Sequence, residues 1–188
     1  MKRNIGPKTL LFPTPVLVVA TYDNEGKPNA MTAAWGGICC SDPPCVTVSL
    51  RKATYTYDSL MIKKVYTINI PSKDYAVEAD YFGIASGRDE DKFAVTRLTP
   101  VRSDIIDAPY IDEFPVNLEC KIVHIADLGL HTQFVGEVLN VKADRPLVDD
   151  SQKPMIEQIM PMIYSPDTRN YYTIGDEIGK AFSIGRKF

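Results

Sequence analysis

Apolar residues recur along this chain mainly at every second position, and that spacing predicts strands. Val16–Tyr22 (VLVVATY) reads as a β-rich run, Asp23–Gly26 (DNEG) as a turn, and Asn29–Trp35 as the returning strand of a hairpin. Gly36-Gly37 breaks that strand, Ser41–Pro44 (SDPP) forms a loop, and Cys45–Leu50 (CVTVSL) alternates cleanly as a third strand. Val65–Ile70 (VYTINI) is a fourth, stopped by Pro71. The plainest alternation runs over Val116–Ala126, where Val116, Leu118, Cys120, Ile122, His124 and Ala126 are expected on one face with Asn117, Glu119 and Lys121 opposite. Asp127-Leu128-Gly129 turns the chain, and His131–Val141 runs back beside it.

Between these strands the period changes. Thr54–Lys64 predicts a short helix with Thr54 or Thr56 as N-cap, and Lys73–Ala85 carries apolar residues at helical spacing up to Ser86-Gly87. Asp89–Ala94 predicts another helical turn. Pro154, Pro161 and Pro166 prevent a long helix over Met155–Arg169, and the tail holds two short candidate strands, YYTIG and AFSIG. Hairpins joined by tight turns, with helices inserted between them, predict an all-β fold: an antiparallel, Greek-key-type β-barrel with short peripheral α-helices. With 188 residues and no internal repeat, one domain spanning 1–188 is expected.

Composition changes this picture little. Apolar residues at 45% and charged residues at 24% are ordinary for a globular protein. A formal charge of −3 argues against a nucleic-acid partner, since the basic residues are dispersed apart from Arg51-Lys52 and Lys63-Lys64. Pro13 and Pro15 interrupt the apolar run after Lys2-Arg3, which speaks against a signal peptide, and no stretch is long and apolar enough to span a membrane. A cytoplasmic location is the expectation.

Familiar catalytic equipment is missing. No G-x-G-x-x-G follows a strand, and neither a P-loop nor H-E-x-x-H occurs. Gly83–Gly87 (GIASG) has the wrong spacing for a nucleophile elbow and follows a predicted helix. Cys39, Cys40 and Cys45 lie close together, which admits a metal or redox site, or buried small residues beside a strand; no C-x-x-C is present. This profile suits a protein whose bound cofactor carries the chemistry.

Five segments then resemble one family: N-A-M-T-A-A-W (29–35), D-P-P-C-V-T-V-S-L-R-K (42–52), T-Y-T-Y-D-S-L (54–60), S-G-R-D-E-D-K-F (86–93) and G-L-H-T-Q-F-V-G-E-V (129–138). Together they resemble the flavin reductase-like, FMN-binding split-barrel family, in its flavoredoxin branch. The resemblance implies a homodimer binding FMN noncovalently and taking electrons from NAD(P)H or a redox protein. Three outcomes stay open: an electron carrier, a reductase that releases reduced FMN to a partner enzyme, and a non-enzymatic flavin-binding scaffold.

The resemblance also implies site residues. Asn29, Met31, Thr32, Ala33, Ala34 and Trp35 would meet the isoalloxazine ring, offering backbone polar groups and small side chains for close approach. Ser49, Leu50, Arg51, Thr54, Tyr55 and Thr56 would surround the phosphate, which needs cations, hydroxyls and the free N–H groups of a helix start. Lys92 is a second cation, with Lys52 less secure. His131 would lie near the ring, and Tyr164, in a Pro-bounded loop, would cover it. Each has an ordinary alternative: a solvated strand end for Arg51 and Lys52, core packing for Trp35 and Tyr164, a structural role for His131.

Overall fold

The computed structural model describes residues 1–187. A short β1 (Thr14–Pro15) leads into β2 (Leu17–Tyr22) and β3 (Pro28–Ala33), and then come β4 (Gly36–Ser41) and β5 (Pro44–Arg51). Helix α1 (Tyr55–Lys63), strand β6 (Val65–Ile70) and helices α2 (Ala76–Ile84) and α3 (Lys92–Thr96) follow. The chain continues through β7 (Pro100–Arg102), β8 (Pro109–Ile111), the long pair β9 (Val116–Asp127) and β10 (His131–Ala143), helix α4 (Ile156–Ile159), β11 (Met162–Ser165) and β12 (Asn170–Thr173).

Seven strands form one antiparallel sheet in the order β3-β2-β6-β9-β10-β5-β4. Its two edge strands, β3 and β4, are consecutive in the chain and joined only by Ala34 and Trp35. The sheet therefore curls until its edges meet at that link, where the Ser49 amide donates to the Trp35 carbonyl at 2.7 Å. Gly36 makes the approach possible: a Cβ there would stand 2.5 Å from the Thr47 carbonyl oxygen and 2.7 Å from Leu17 Cδ1. β1, β11 and β12 form a separate three-stranded sheet, and β7 pairs with β8.

Two cores result. Inside the barrel, Leu17, Val19, Val48, Leu50, Tyr66 and Phe134 pack together, closed at one end by Leu60 of α1. Outside it, Val18 and Ala20 pack against Phe82 of α2, Phe93 of α3, and Ile111 and Phe114 around β8. β2 feeds both cores with alternate side chains, which is why its sequence is continuously apolar instead of alternating.

Several expectations need correction. Gly36-Gly37 opens a strand instead of only ending one, and that strand carries Cys39 and Cys40 on the sheet edge. Tyr164 belongs to β11, paired with Thr14. The AFSIG tail forms turns and a 3-10 helix over Ile184–Lys187, not a strand. The expected single face on β9 breaks at a bulge that skips Val123, leaving His124 exposed while Ile122 and Ile125 both pack on the barrel core. The supposed outer face of β9 is also covered, by β7–β8. There Asn117 Nδ2 donates to Asn69 Oδ1 at 2.9 Å, and Glu119 accepts from Ser103 Oγ at 2.5 Å and Asn140 Nδ2 at 2.7 Å. Buried polar groups are tolerable here because they satisfy one another.

Candidate functional site

Three hollows lie in a row along β3 and the Ala34–Trp35 link. The first, of ≈ 200 Å³, sits at the start of α1 between Met31, Thr54, Tyr55, Thr56 and the Ser86–Arg88 turn. The second, of ≈ 240 Å³, shares Gly83 with the first and is walled by Thr32, Ala33, Ala34, Tyr164 and Tyr171. The third, of ≈ 470 Å³, shares Ala34 with the second and is walled by Trp35, Gly36, Thr47, Ser49 and Gln133. Together they make a trough, charged at one end and walled by uncharged residues at the other.

The charged end is built by the start of α1. Thr54 is the N-cap, with extended φ −78° and ψ 145°, and its hydroxyl donates to the Arg51 carbonyl at 2.8 Å. The Tyr57 N–H donates to the Thr54 carbonyl at 3.2 Å, which leaves the N–H groups of Tyr55 and Thr56 at the positive end of the helix dipole. Asn29 fixes this turn from β3, its Nδ2 donating to Thr56 Oγ1 at 2.8 Å with both residues buried. Gly87 packs against Asn29 so closely that a Cβ would stand 2.2 Å from Asn29 Oδ1. The Tyr55 hydroxyl donates to Asp23 Oδ2 at 2.9 Å, and that bond, followed by burial, pushes its pKa up.

Two cations reach this end. The Arg88 guanidinium lies over the Tyr55 ring at 5.5 Å, donates to the Ala53 carbonyl at 2.9 Å and pairs with Asp58 at 3.6 Å. Lys92 is 4% exposed, and its Nζ donates to the carbonyls of Phe82 and Ala85 at 3.2 and 3.3 Å, capping the end of α2. Burial pushes Lys92 down to about 8, only partly countered by Glu90.

The other sequence-predicted residues divide into those the trough gathers and those it does not. Met31, Ala33, Ala34, Trp35, Ser49, Thr54, Tyr55 and Tyr164 all line it. Thr32 lines it too, but its hydroxyl is already given to the Ala79 carbonyl of α2. Leu50 points into the barrel core and is 1% exposed, which leaves only its backbone for a ligand. Arg51 is exposed at the end of β5, directly opposite His131 on β10, and neither lines a hollow. Lys52 pairs with Asp127 at 2.5 Å on the surface. Ser86, Arg88, Gln133 and Tyr171 are gathered as well, although the sequence reading did not select them. Ser86 and Arg88 stand in the same S-G-R-D-E-D-K-F segment that supplied Lys92, and Gln133 in the G-L-H-T-Q-F-V-G-E-V segment that supplied His131, so the signal was there; Tyr171 had none.

A match to the model of the flavin reductase like domain covers residues 9–174. The chain belongs to the flavin reductase-like family. Among solved structures of this kind, the flavoredoxin of Desulfovibrio vulgaris (Miyazaki F) is 49% identical, with 99% of this chain and 100% of that chain covered and a TM-score of 0.94. The flavoredoxin from Methanosarcina acetivorans is 26% identical over 100% of this chain and 98% of that one, with a TM-score of 0.93. Uncharacterized relatives are found in Archaeoglobus fulgidus (33% identical over 61% of this chain) and Aeropyrum pernix (30% over 89%), and the matched region spans 65% and 64% of their lengths. The family membership identifies the architecture as the flavin reductase-like split barrel, and it supports a flavin-linked redox role.

The residues present fit a flavin phosphate. Lys92 is a buried cation with no carboxylate of the described residues within bonding distance, beside hydroxyls and a helix start that offers N–H donors. Such a donor set matches a dianionic monoester better than any neutral ligand. Among the described residues no cluster of His, Cys, Asp or Glu is arranged to hold a metal ion.

Proposed function

We propose that this chain is a single-domain, FMN-binding electron-transfer protein of flavoredoxin type, taking electrons from NAD(P)H or a reduced redox protein and passing them to an acceptor. The observation that carries this reading is the trough, cationic at one end and lined along the rest mainly by small, apolar and aromatic residues, with Asp80 accepting from the Tyr171 hydroxyl in the second hollow. Bound FMN would supply the redox chemistry itself. Lys92, Arg88 and the first turn of α1 would hold its phosphate. β3 would present its edge to the ring, with Ala33 and Ala34 keeping that edge low and Trp35 and Tyr164 flanking it. Arg51 and His131 remain candidates only for the rim, where a longer substrate or a partner would reach them.

A second copy of the chain, as the resemblance implies, has an apolar surface to cover: a groove of ≈ 370 Å³ lined by Leu17, Ile38, Val46, Ile70 and Leu118, with Ile38 86% exposed. No helix among the described residues is long and apolar enough to cross a membrane.

The test is an anaerobic titration of protein loaded with FMN, using NADH, NADPH and a reduced one-electron carrier in turn, followed in the oxidised-flavin absorption band. Bleaching with flavin retained on gel filtration is expected of a carrier. Bleaching followed by loss of flavin would identify a reductase that hands FMN on. Failure to bind FMN would refute the site. Light scattering on the same sample reads the dimer.

A further inference from the structure

We propose that the β4–β5 hairpin carries a reversible thiol switch, in which a hydroperoxide oxidises Cys40 and Cys45 to a cross-strand disulfide. All four cysteines are free thiols in the structure, and three fall within Cys39–Cys45. The pairing register singles out two of them. Ile38 stands opposite Val46, and the next pair is Cys40 opposite Cys45, so Cys39 is the extra residue of a bulge and has no cross-strand partner. Directly opposed residues of an antiparallel pair have Cα atoms about 4.5–5.5 Å apart. That lies inside the roughly 4.4–6.8 Å window a disulfide needs. Cys120 is excluded by depth: it is fully buried, and burial pushes its thiol up to about 12.

Exposure assigns the two roles. β4 is an edge strand, and Cys40 is exposed on it, with its Sγ within 3.3 Å of the Asp42 carbonyl. Cys45 is 7% exposed, and burial, then the thiols of Cys39 and Cys40, push it up. Cys40 is therefore the sulfur an oxidant meets and Cys45 the sulfur that resolves. The Cys40 thiolate attacks the hydroperoxide; the O–O bond breaks, one oxygen stays as Cys40 sulfenic acid, and the other leaves, protonated, as an alcohol or water. Cys45 then gives up its proton and attacks the sulfenic sulfur; the S–S bond forms and the S–OH bond breaks, releasing water. Two thiols lose two electrons, and the hydroperoxide gains them. A dithiol reductant reverses the change.

The switch sits on the hairpin that walls the third hollow of the trough. Gly36 and Gly37 begin β4 beside that hollow, and Thr47 and Ser49 line it from the same side of β5 as Cys45. The inference stands on the hairpin alone and does not depend on the flavin reading.

The experiment uses the full chain, reduced and then treated with hydrogen peroxide. Remaining thiols are blocked with iodoacetamide, and the unreduced digest is mapped by mass spectrometry. The expected product has lost two hydrogens, with Cys40 joined to Cys45, Cys39 alkylated, and full reversal by dithiothreitol. Cys39→Ser should keep the link, whereas Cys40→Ser should abolish it. The mapping of the unsubstituted chain decides the question even if a variant folds poorly. A Cys39–Cys45 link, a disulfide between chains, sulfinic or sulfonic acid as the main product, or unchanged thiols would each overturn the proposal.

Discussion

Lys92 offers a direct test of how the trough reads an anion. Its ammonium is 4% exposed and is met by two carbonyl oxygens, 3.2 and 3.3 Å away, but by no carboxylate among the described residues. Its value falls from 10.5 to about 8 through burial, which corresponds to roughly 3 kcal/mol of cost for holding the charge there. A phosphate in the adjoining hollow would offset that cost, so Lys92→Met removes an interaction that a phosphate makes and a neutral ligand does not. A charge-assisted bond of about 1.5–3 kcal/mol predicts FMN affinity weaker by roughly ten- to a hundredfold. Riboflavin, with the same ring and no phosphate, should change by less than about twofold. Anion binding favours the protonated lysine, so wild-type affinity for FMN is greatest below pH about 8 and declines above it, whereas the variant shows no such decline. In the free protein the unfolded chain holds this proton up to 10.5, so the lysine's contribution to stability rises as pH goes from about 8 towards that value. Flavin fluorescence titrations across roughly pH 7 to 10, with riboflavin as the control for ring ionisation, read all of this. Equal losses for FMN and riboflavin, or an affinity for FMN indifferent to pH, would refute the assignment.

Other positions give independent checks. Gly87→Ala would place a methyl 2.2 Å from Asn29 Oδ1 and 2.7 Å from the Tyr55 ring. It should lower stability by about 1–3 kcal/mol in urea and weaken FMN by about tenfold or more, because Asn29 is pushed off Thr56. Tyr66→Phe should leave stability unchanged or raise it by about 1 kcal/mol, since the buried Tyr66 hydroxyl has no partner among the described residues; a clear loss in urea would show that a partner exists. Glu119→Leu strips the acceptor from Ser103 and Asn140 and should cost at least about 1–3 kcal/mol by the same measurement.

The strands of the barrel were legible because period-2 alternation is a local property. Val65–Ile70 is a strand over the very residues the pattern marked. What escaped depends on partners far along the chain. Asn117 and Glu119 look like an exposed face, yet β7–β8 folds over them, and nothing within β9 announces that cover. Gly36-Gly37 reads as a break because glycine has no side chain to pack, whereas here it is what lets the sheet edges close. For the candidate site, the resemblance of the quoted segments pointed to β3 and the start of α1, in keeping with their small residues, hydroxyls and helix signal. Arg88 was passed over because an arginine among Asp89, Glu90 and Asp91 looks like part of a solvated charged turn. Only the folded turn brings it over Tyr55.

The two-residue passage from β3 to β4 bears on how chains of this kind can change length. Extra residues are readily absorbed at the exposed turn between β9 and β10, or along the segment before α4, since both lie on the surface and close nothing. At Ala34 and Trp35 the chain is the clasp of the barrel, and any added residue would let the two edges drift apart. Insertions and deletions among relatives should therefore collect at the outer turns, while this join keeps its length even where its residues differ.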